Sequence, residues 1–260
     1  MLQVDASLLR AVAPGQSGAR AVHQGLIITE VGASLAGTLD QYEVNTPPRI
    51  AHFVAQVAHE SDGFCTTEEY ASGAAYEGRA DLGNTQPGDG MRFKGRGLIQ
   101  LTGRANYASA AGRLGIGLVA DPDLAAVPAT SLRIACDFWA TKKINTPADR
   151  DDIITVTRLV NGGLNGIDSR RAYLAKAKAA LAKLQAATLP VSPGAPGTLH
   201  RGLDGDDVIR LQTALRDQGI QVAIDGVFGP GTEAAVRQFQ ADNDLVADGI
   251  VGPATWAALG

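Results

Sequence analysis

Apolar residues along this chain recur mostly at helical spacing, and most clearly just before residue 60. Ile50, Phe53, Val54, Val57 and Ala58 stand three or four apart, which places them on one face of a helix turned toward a core. Pro47 and Pro48 mark the start of that helix, and Asp62-Gly63 breaks it. Glu60 falls in its last turn, on the flank of the apolar stripe. A carboxylate at such an edge loses part of its hydration, which suits it to proton donation; the plainer alternative is a solvated helix-end glutamate. Similar spacing predicts helices over residues 6–12 and 19–32, separated by Pro14-Gly15 and ended by Gly32. Further helices are predicted over 107–114, 131–143, 151–159 and 169–186, the last rich in Ala and Lys. Residues 62–97 break the pattern with a long run of glycines and turn formers, and loops of that length are either functional or disordered. The predicted class is mainly α.

Residues 188–198 carry three prolines, two glycines and no charge, the composition of a semi-extended linker. Beyond them Asp225-Gly-Val-Phe-Gly-Pro-Gly-Thr232 is echoed 23 residues later by Asp248-Gly-Ile-Val-Gly-Pro-Ala-Thr255. In each copy the proline opens a short helix. With a preceding helix over 206–218 this makes a small three-helix unit, whose core should include Leu211, Leu215, Val236, Phe239 and Trp256. The expected organisation is a domain over 1–187, a linker over 188–198 and a second domain over 199–260. Charge changes sign at the same place: residues 1–198 sum to +1 and residues 199–260 to -5.

Composition narrows the function. A net charge of -4 gives no footprint for nucleic acid or anionic membranes. No run reaches the roughly 18 apolar residues of a membrane span, so no membrane insertion is expected. The N-terminus carries Asp5 and no basic stretch followed by an apolar one, so no signal peptide is predicted. Cys65 and Cys136 are too few for a disulfide scaffold and read as a reduced pair, although one bridge would be allowed. Cys65 lacks an evident base, which favours packing over a nucleophilic role. His59-Glu60 would need a histidine at 63 to form a zinc-protease motif, and Gly63 stands there. His52 and His59 lie seven apart on one helix with no further ligand to complete a set, so no metal and no cofactor are expected.

The remaining constellation is a set of carboxylates followed by a polar cluster. Glu68 and Glu69 lie eight and nine residues past Glu60. Hydrolysis of a glycosidic bond uses one carboxylic acid for the leaving oxygen and one carboxylate to activate water. Phe93-Lys-Gly-Arg-Gly-Leu-Ile-Gln-Leu-Thr-Gly-Arg-Ala-Asn-Tyr107 adds the hydrogen-bonding side chains Gln100, Thr102, Arg104 and Asn106 among glycines. Gln100 and Asn106 would equally serve to tie a buried turn, Arg170 to cap a helix, and Tyr70, Tyr76 and Tyr107 to fill a core.

Ala58-His-Glu-Ser-Asp-Gly-Phe64, Glu69, the 93–107 motif and Asn161-Gly-Gly together resemble glycoside hydrolase family 19, which includes plant chitinases and many phage endolysins. The resemblance covers about residues 45–185. It implies a lysozyme-like α-helical catalytic domain with Glu60 as general acid and Glu69 as general base, Glu68 being the competing register. Thr102 stands where the chitinases place a water-orienting serine. Gln100, Asn106 and Asn161 match sugar-contacting positions, Arg170 resembles the arginine beside the acid, and Tyr107 joins them as a substrate-binding candidate. Residues 199–260 resemble the peptidoglycan-binding domain of cell-wall hydrolases. Together these imply an endolysin that cleaves the β-1,4 bond between N-acetylmuramic acid and N-acetylglucosamine with inversion. Its partner would be bacterial peptidoglycan, and it would work as a monomer. It would be made in the host cytoplasm and released through a separate membrane pore. A chitinase, or a wall-binding protein without activity, would carry the same motifs.

Overall fold

A computed structural model describes residues 3–188 and 197–259. The chain divides into two compact units, Met1–Thr188 and Leu189–Gly260. The predicted linker lies mostly outside the described residues. Among those described there are helices and isolated bridges but no extended strand, as the apolar spacing predicts.

The first unit is built on α3 (Pro47–Glu60), with proline at its N-terminus where no backbone donor is needed. Its burial exceeds the one-sided expectation, because every residue from 50 to 58 is buried, including His52 and Gln56. Helices on several sides cause this: α3 packs along α9 (Ile167–Thr188) and against α1 (Ala6–Val12), α7 (Asn145–Asp149) and α8 (Ile153–Asn161). The ring of Phe53 meets Trp139 of α6 (Pro128–Thr141) edge-on at 5.3 Å. Truncating Phe53 would cost about 3–5 kcal/mol, the usual range for a buried aromatic.

Gly32 does not end a helix. α2 runs from Gly18 to Gln41 straight through it. A Cβ on Gly32 would lie 2.5 Å from the Cβ of Ala6, so the missing side chain is what lets α1 seat against α2. The glycine-rich loop is ordered by its own hydrogen bonds. It contains the short helix α4 (Asp89–Arg92), whose Asp89 is buried and paired with Arg104 at the start of α5 (Arg104–Leu114). Both Cys65 and Cys136 are buried and free, and burial pushes each thiol pKa up.

In the second unit α10 (Asp206–Asp217), α11 (Pro230–Asp242) and α12 (Pro253–Leu259) bury Leu211, Leu215, Val236, Phe239 and Trp256, the expected core. The sequence repeat is also a hydrogen-bond repeat. Gln212 donates to Asp225 Oδ1, the Val227 carbonyl and Thr232 Oγ1, and accepts from the N–H groups of Asp225 and Gly226. Gln240 does the same in the second copy with Asp248, the Ile250 carbonyl, Thr255 and the Gly249 N–H. Each glutamine thus satisfies a loop that would otherwise leave backbone groups unpaired.

Candidate active site

Glu60 is carried to the end of α3 and there the chain reverses sharply. The Gly63 N–H bonds to the Ala58 carbonyl at 2.7 Å and the Asp62 N–H to the His59 carbonyl at 3.3 Å, the pattern of a helix closed by a left-handed residue. Asp62, Gly63 and Phe64 all have positive φ, at 53°, 69° and 67°. Two non-glycine residues in that region store strain, and the surroundings hold them there. Phe64 is fully buried, Ser61 Oγ accepts from its N–H, and Gln24 of α2 donates to the Gly63 carbonyl at 2.7 Å.

The Glu60 side chain is 20% exposed, and its Oε1 receives Arg170 Nη2 at 2.5 Å. Arg170 is 1% exposed. Its Nη1 donates to Gln56 Oε1 at 2.5 Å and its Nε to the Asn165 carbonyl at 3.0 Å. Each nitrogen of the guanidinium therefore bonds inside the protein: Arg170 stands beside the acid as the resemblance implies, and its burial takes it out of the substrate-binding set. Arg170 positions Glu60 instead. The same Asn165 carbonyl also accepts from Asn161 Nδ2 at 3.0 Å, while Asn161 Oδ1 accepts from the Gly163 N–H. Asn161 thereby shapes the loop that supports the arginine. His59 seals this side. Its ring lies where a Cβ on Gly166 would be, Nδ1 meets Ser169 Oγ at 3.1 Å, and burial, then Arg170, pulls its pKa down.

Glu68 and Glu69 point to opposite sides, as neighbours in an extended segment must. Glu68 reaches Lys94 at 2.9 Å and Arg96 at 3.3 Å. Glu69 faces the polar cluster: Oε1 accepts from the Gly95 N–H at 2.8 Å and Oε2 from the Tyr76 hydroxyl at 3.0 Å. A Cβ on Gly95 would lie 2.9 Å from Gln100 Oε1, 3.3 Å from Glu69 Cδ and 3.3 Å from Thr102 Oγ1. Those three predicted residues are thus gathered around one point. Asn106 is exposed on α5, and its Nδ2 donates to the Thr102 carbonyl at 2.8 Å. Gln100, Thr102 and Asn106 all line a cavity of about 420 Å³.

Tyr107 is the clear departure from the sequence reading. It is fully buried, edge-on to Phe93, and its hydroxyl donates to the Lys94 carbonyl at 2.8 Å. Burial pushes its pKa up to about 12. Its ring is core and cannot serve as a sugar platform. Two contributors escaped the sequence. Gln56 was hidden among apolar neighbours, and Gly95 carries no chemistry of its own and shows only through what surrounds it. Among the described residues no group of three or more His, Cys, Asp or Glu side chains is placed to hold a metal ion.

Comparison with known proteins agrees with this architecture. The family profile described as chitinase class I matches residues 29–162, and one described as a peptidoglycan binding domain matches residues 204–259. A glycosyl hydrolase family 19 domain-containing protein of Haemophilus influenzae is 33% identical over 152 residues, covering 46% of this chain and 74% of that protein. An endochitinase of Arabidopsis thaliana is 38% identical over 114 residues, but the match spans only 39% of its length and 44% of this chain. The fold is that of chitinase C from Streptomyces griseus, with a TM-score of 0.51, 22% identity, and coverage of 70% of this chain and 77% of that one. With more than half of the chain inside the family profile, this protein belongs to the class I chitinase family, glycoside hydrolase family 19, and is a glycoside hydrolase with a peptidoglycan-binding domain.

Proposed function

We propose that this chain is a peptidoglycan hydrolase that cleaves the β-1,4 bond between N-acetylmuramic acid and N-acetylglucosamine with inversion. Glu60 gives its proton to the leaving glycosidic oxygen, and Arg170, gripping Oε1, fixes the direction in which the carboxyl points. Glu69 takes a proton from water as that water attacks the anomeric carbon from the opposite face. Both oxygens of Glu69 already accept one hydrogen bond and keep a lone pair for the water. Thr102 and Gln100, beside the same point, orient it. The observation that carries the reading is the joining of this site to a domain matched as peptidoglycan binding. A tether of that kind raises the enzyme's local concentration on an insoluble polymer.

The endolysin role belongs to the same proposal: bacterial lysis by an enzyme that gathers in the host cytoplasm and reaches the wall through a separate pore. The endochitinase relatives favour a second reading, in which the same carboxylates cut chitin. Mass spectrometry separates them. Purified peptidoglycan is digested, reduced with borohydride and analysed beside chitin oligomers treated alike. New muramitol ends support the muramidase reading. Glucosaminitol ends, or turnover of chitin alone, overturn the substrate assignment while keeping the two carboxylates.

A further inference from the structure

The cavity beside the base continues well past it. Gln100, Thr102 and Asn106 line its near part, and it follows α5 from Asn106 to Arg113, about 10 Å along the axis at 1.5 Å per residue. Ile134 and Phe138 of α6 give it an apolar floor. Its lining is unevenly charged. Arg113 is matched, since its Nε and Nη2 both bond to the Asp137 carboxylate, Nη2 at 2.7 Å. Lys142 closes α6, lines the same cavity and is exposed, with its ammonium 5.9 Å from the centre of the Phe138 ring. Among the described residues no carboxylate is ion-paired with it. One positive charge is therefore left over in the lining of a cavity that also holds Gln100, Thr102 and Asn106.

We propose that this cavity holds a subsite for a carboxylate carried on a substituent of the glycan, with Lys142 as its counter-ion. The inference rests on the wall-hydrolase reading and deepens it. Chitin is a neutral homopolymer and offers Lys142 nothing. The wall glycan carries a lactyl ether on every second sugar, which ends either in a free carboxylate or in a peptide that bears carboxylates of its own. Either source presents the same group, and an ammonium reads it as a point charge. Contact of this kind weakens as salt rises, because the site is open to solvent.

Three soluble substrates test it with the full chain: peptide-bearing wall strands, strands stripped of peptide to free the lactyl carboxylates, and stripped strands with those carboxylates converted to neutral amides. Lys142→Gln should lower kcat/KM about tenfold, through KM, on whichever acid-bearing strand is read, and leave the neutral strands unchanged. The responding strand identifies the source of the carboxylate. Lys143→Gln, which alters a neighbouring lysine outside the cavity lining, serves as the control and should change nothing. An equal loss on neutral strands, or no loss on either acidic one, overturns the subsite. Cleavage of chitin oligomers by the wild type with none of the wall substrates cut overturns the wall-hydrolase reading as well, so the two failures are distinct.

Discussion

The hydroxyl of Tyr70 donates to Asp62 Oδ2 at 3.0 Å, and in doing so ties the segment two residues past Glu60 to the segment one residue past Glu69. Arg20 of α2 completes the clasp by pairing with the same Asp62 oxygen. All three groups are exposed, so the clasp adds little to global stability. What it joins is the two segments that carry Glu60 and Glu69. Tyr70→Phe should lower kcat by about tenfold while leaving KM within twofold, because misplacement of a reacting group is felt in the chemical step. Steady-state kinetics on wall fragments, with Tm shifted by less than about 2 °C, would bear this out. A rise in KM alone would show that Tyr70 contacts sugar.

Three substitutions test the two carboxylates and the register of the base. Glu69→Gln should cost at least about a hundredfold in kcat, and Glu60→Gln on the order of a thousandfold, in line with general acid and base contributions. Glu68→Gln should stay near wild type, since Glu68 is occupied by Lys94 and Arg96. Sedimentation with purified wall should show undiminished binding by all three variants.

Arg170→Lys keeps the charge beside Glu60 but loses the fork. One ammonium cannot serve Glu60, Gln56 and the Asn165 carbonyl together, and a buried acceptor is left unpaired. The expected cost is about 2 kcal/mol in denaturant unfolding, with kcat falling at least tenfold at every substrate concentration. Full activity with that loss of stability would confine Arg170 to a structural role.

Gly95→Ala reaches the base from the other side. The new methyl would press on Gln100 Oε1, Glu69 Cδ and Thr102 Oγ1. Gly95 has an ordinary backbone conformation, so alanine carries no φ penalty there. Activity should drop by about tenfold or more while Tm moves less than about 3 °C. A comparable loss of fold and function would place Gly95 in the scaffold alone.

Acid should destabilise the first unit before its carboxylates titrate. His52 is fully buried, bonded to Asp151 through Nε2 at 2.8 Å, and burial holds its pKa below the ordinary 6.5. Lys178 also meets Asp151 and opposes a charge on the histidine. Because the folded value lies below the unfolded one, the stabilisation is complete above about pH 6.5 and is lost as pH falls toward the folded value. His59, shifted in the same direction, adds to the slope. Urea midpoints taken from about pH 7.5 to about pH 5.5 should fall for the wild type and fall less for His52→Gln. Equal slopes would remove His52 from the account.

Much of this was legible in the residues. Apolar spacing located the helices, the Asp-Gly repeat located the second unit, and three ordered motifs named the carboxylates. What escaped detection depends on contacts that no local pattern records. Gly32 reads as a breaker by propensity, yet it is a packing surface for Ala6. Tyr107 sits in a polar motif whose next turn happens to face Phe93, so its ring is drawn inward. Arg170 stands beside Glu60 as the resemblance implies, but helical spacing in an Ala/Lys-rich segment gives no sign that it is buried there. Left-handed backbone at Phe64 gave no sign, because a bulky aromatic residue is not one that adopts it by preference.

The link between Glu60 and Arg170 spans 110 residues, whereas the two carboxylates of the site lie within a single short segment. A ribosome therefore delivers the two carboxylates early and the cation that grips Glu60 late, after α8 and as α9 emerges. Even the family match ends at residue 162, before that cation is reached. A chain released prematurely would carry both reactive groups without the grip that aims them. Under the proposed roles, competence waits until the last helix of the first unit has been made.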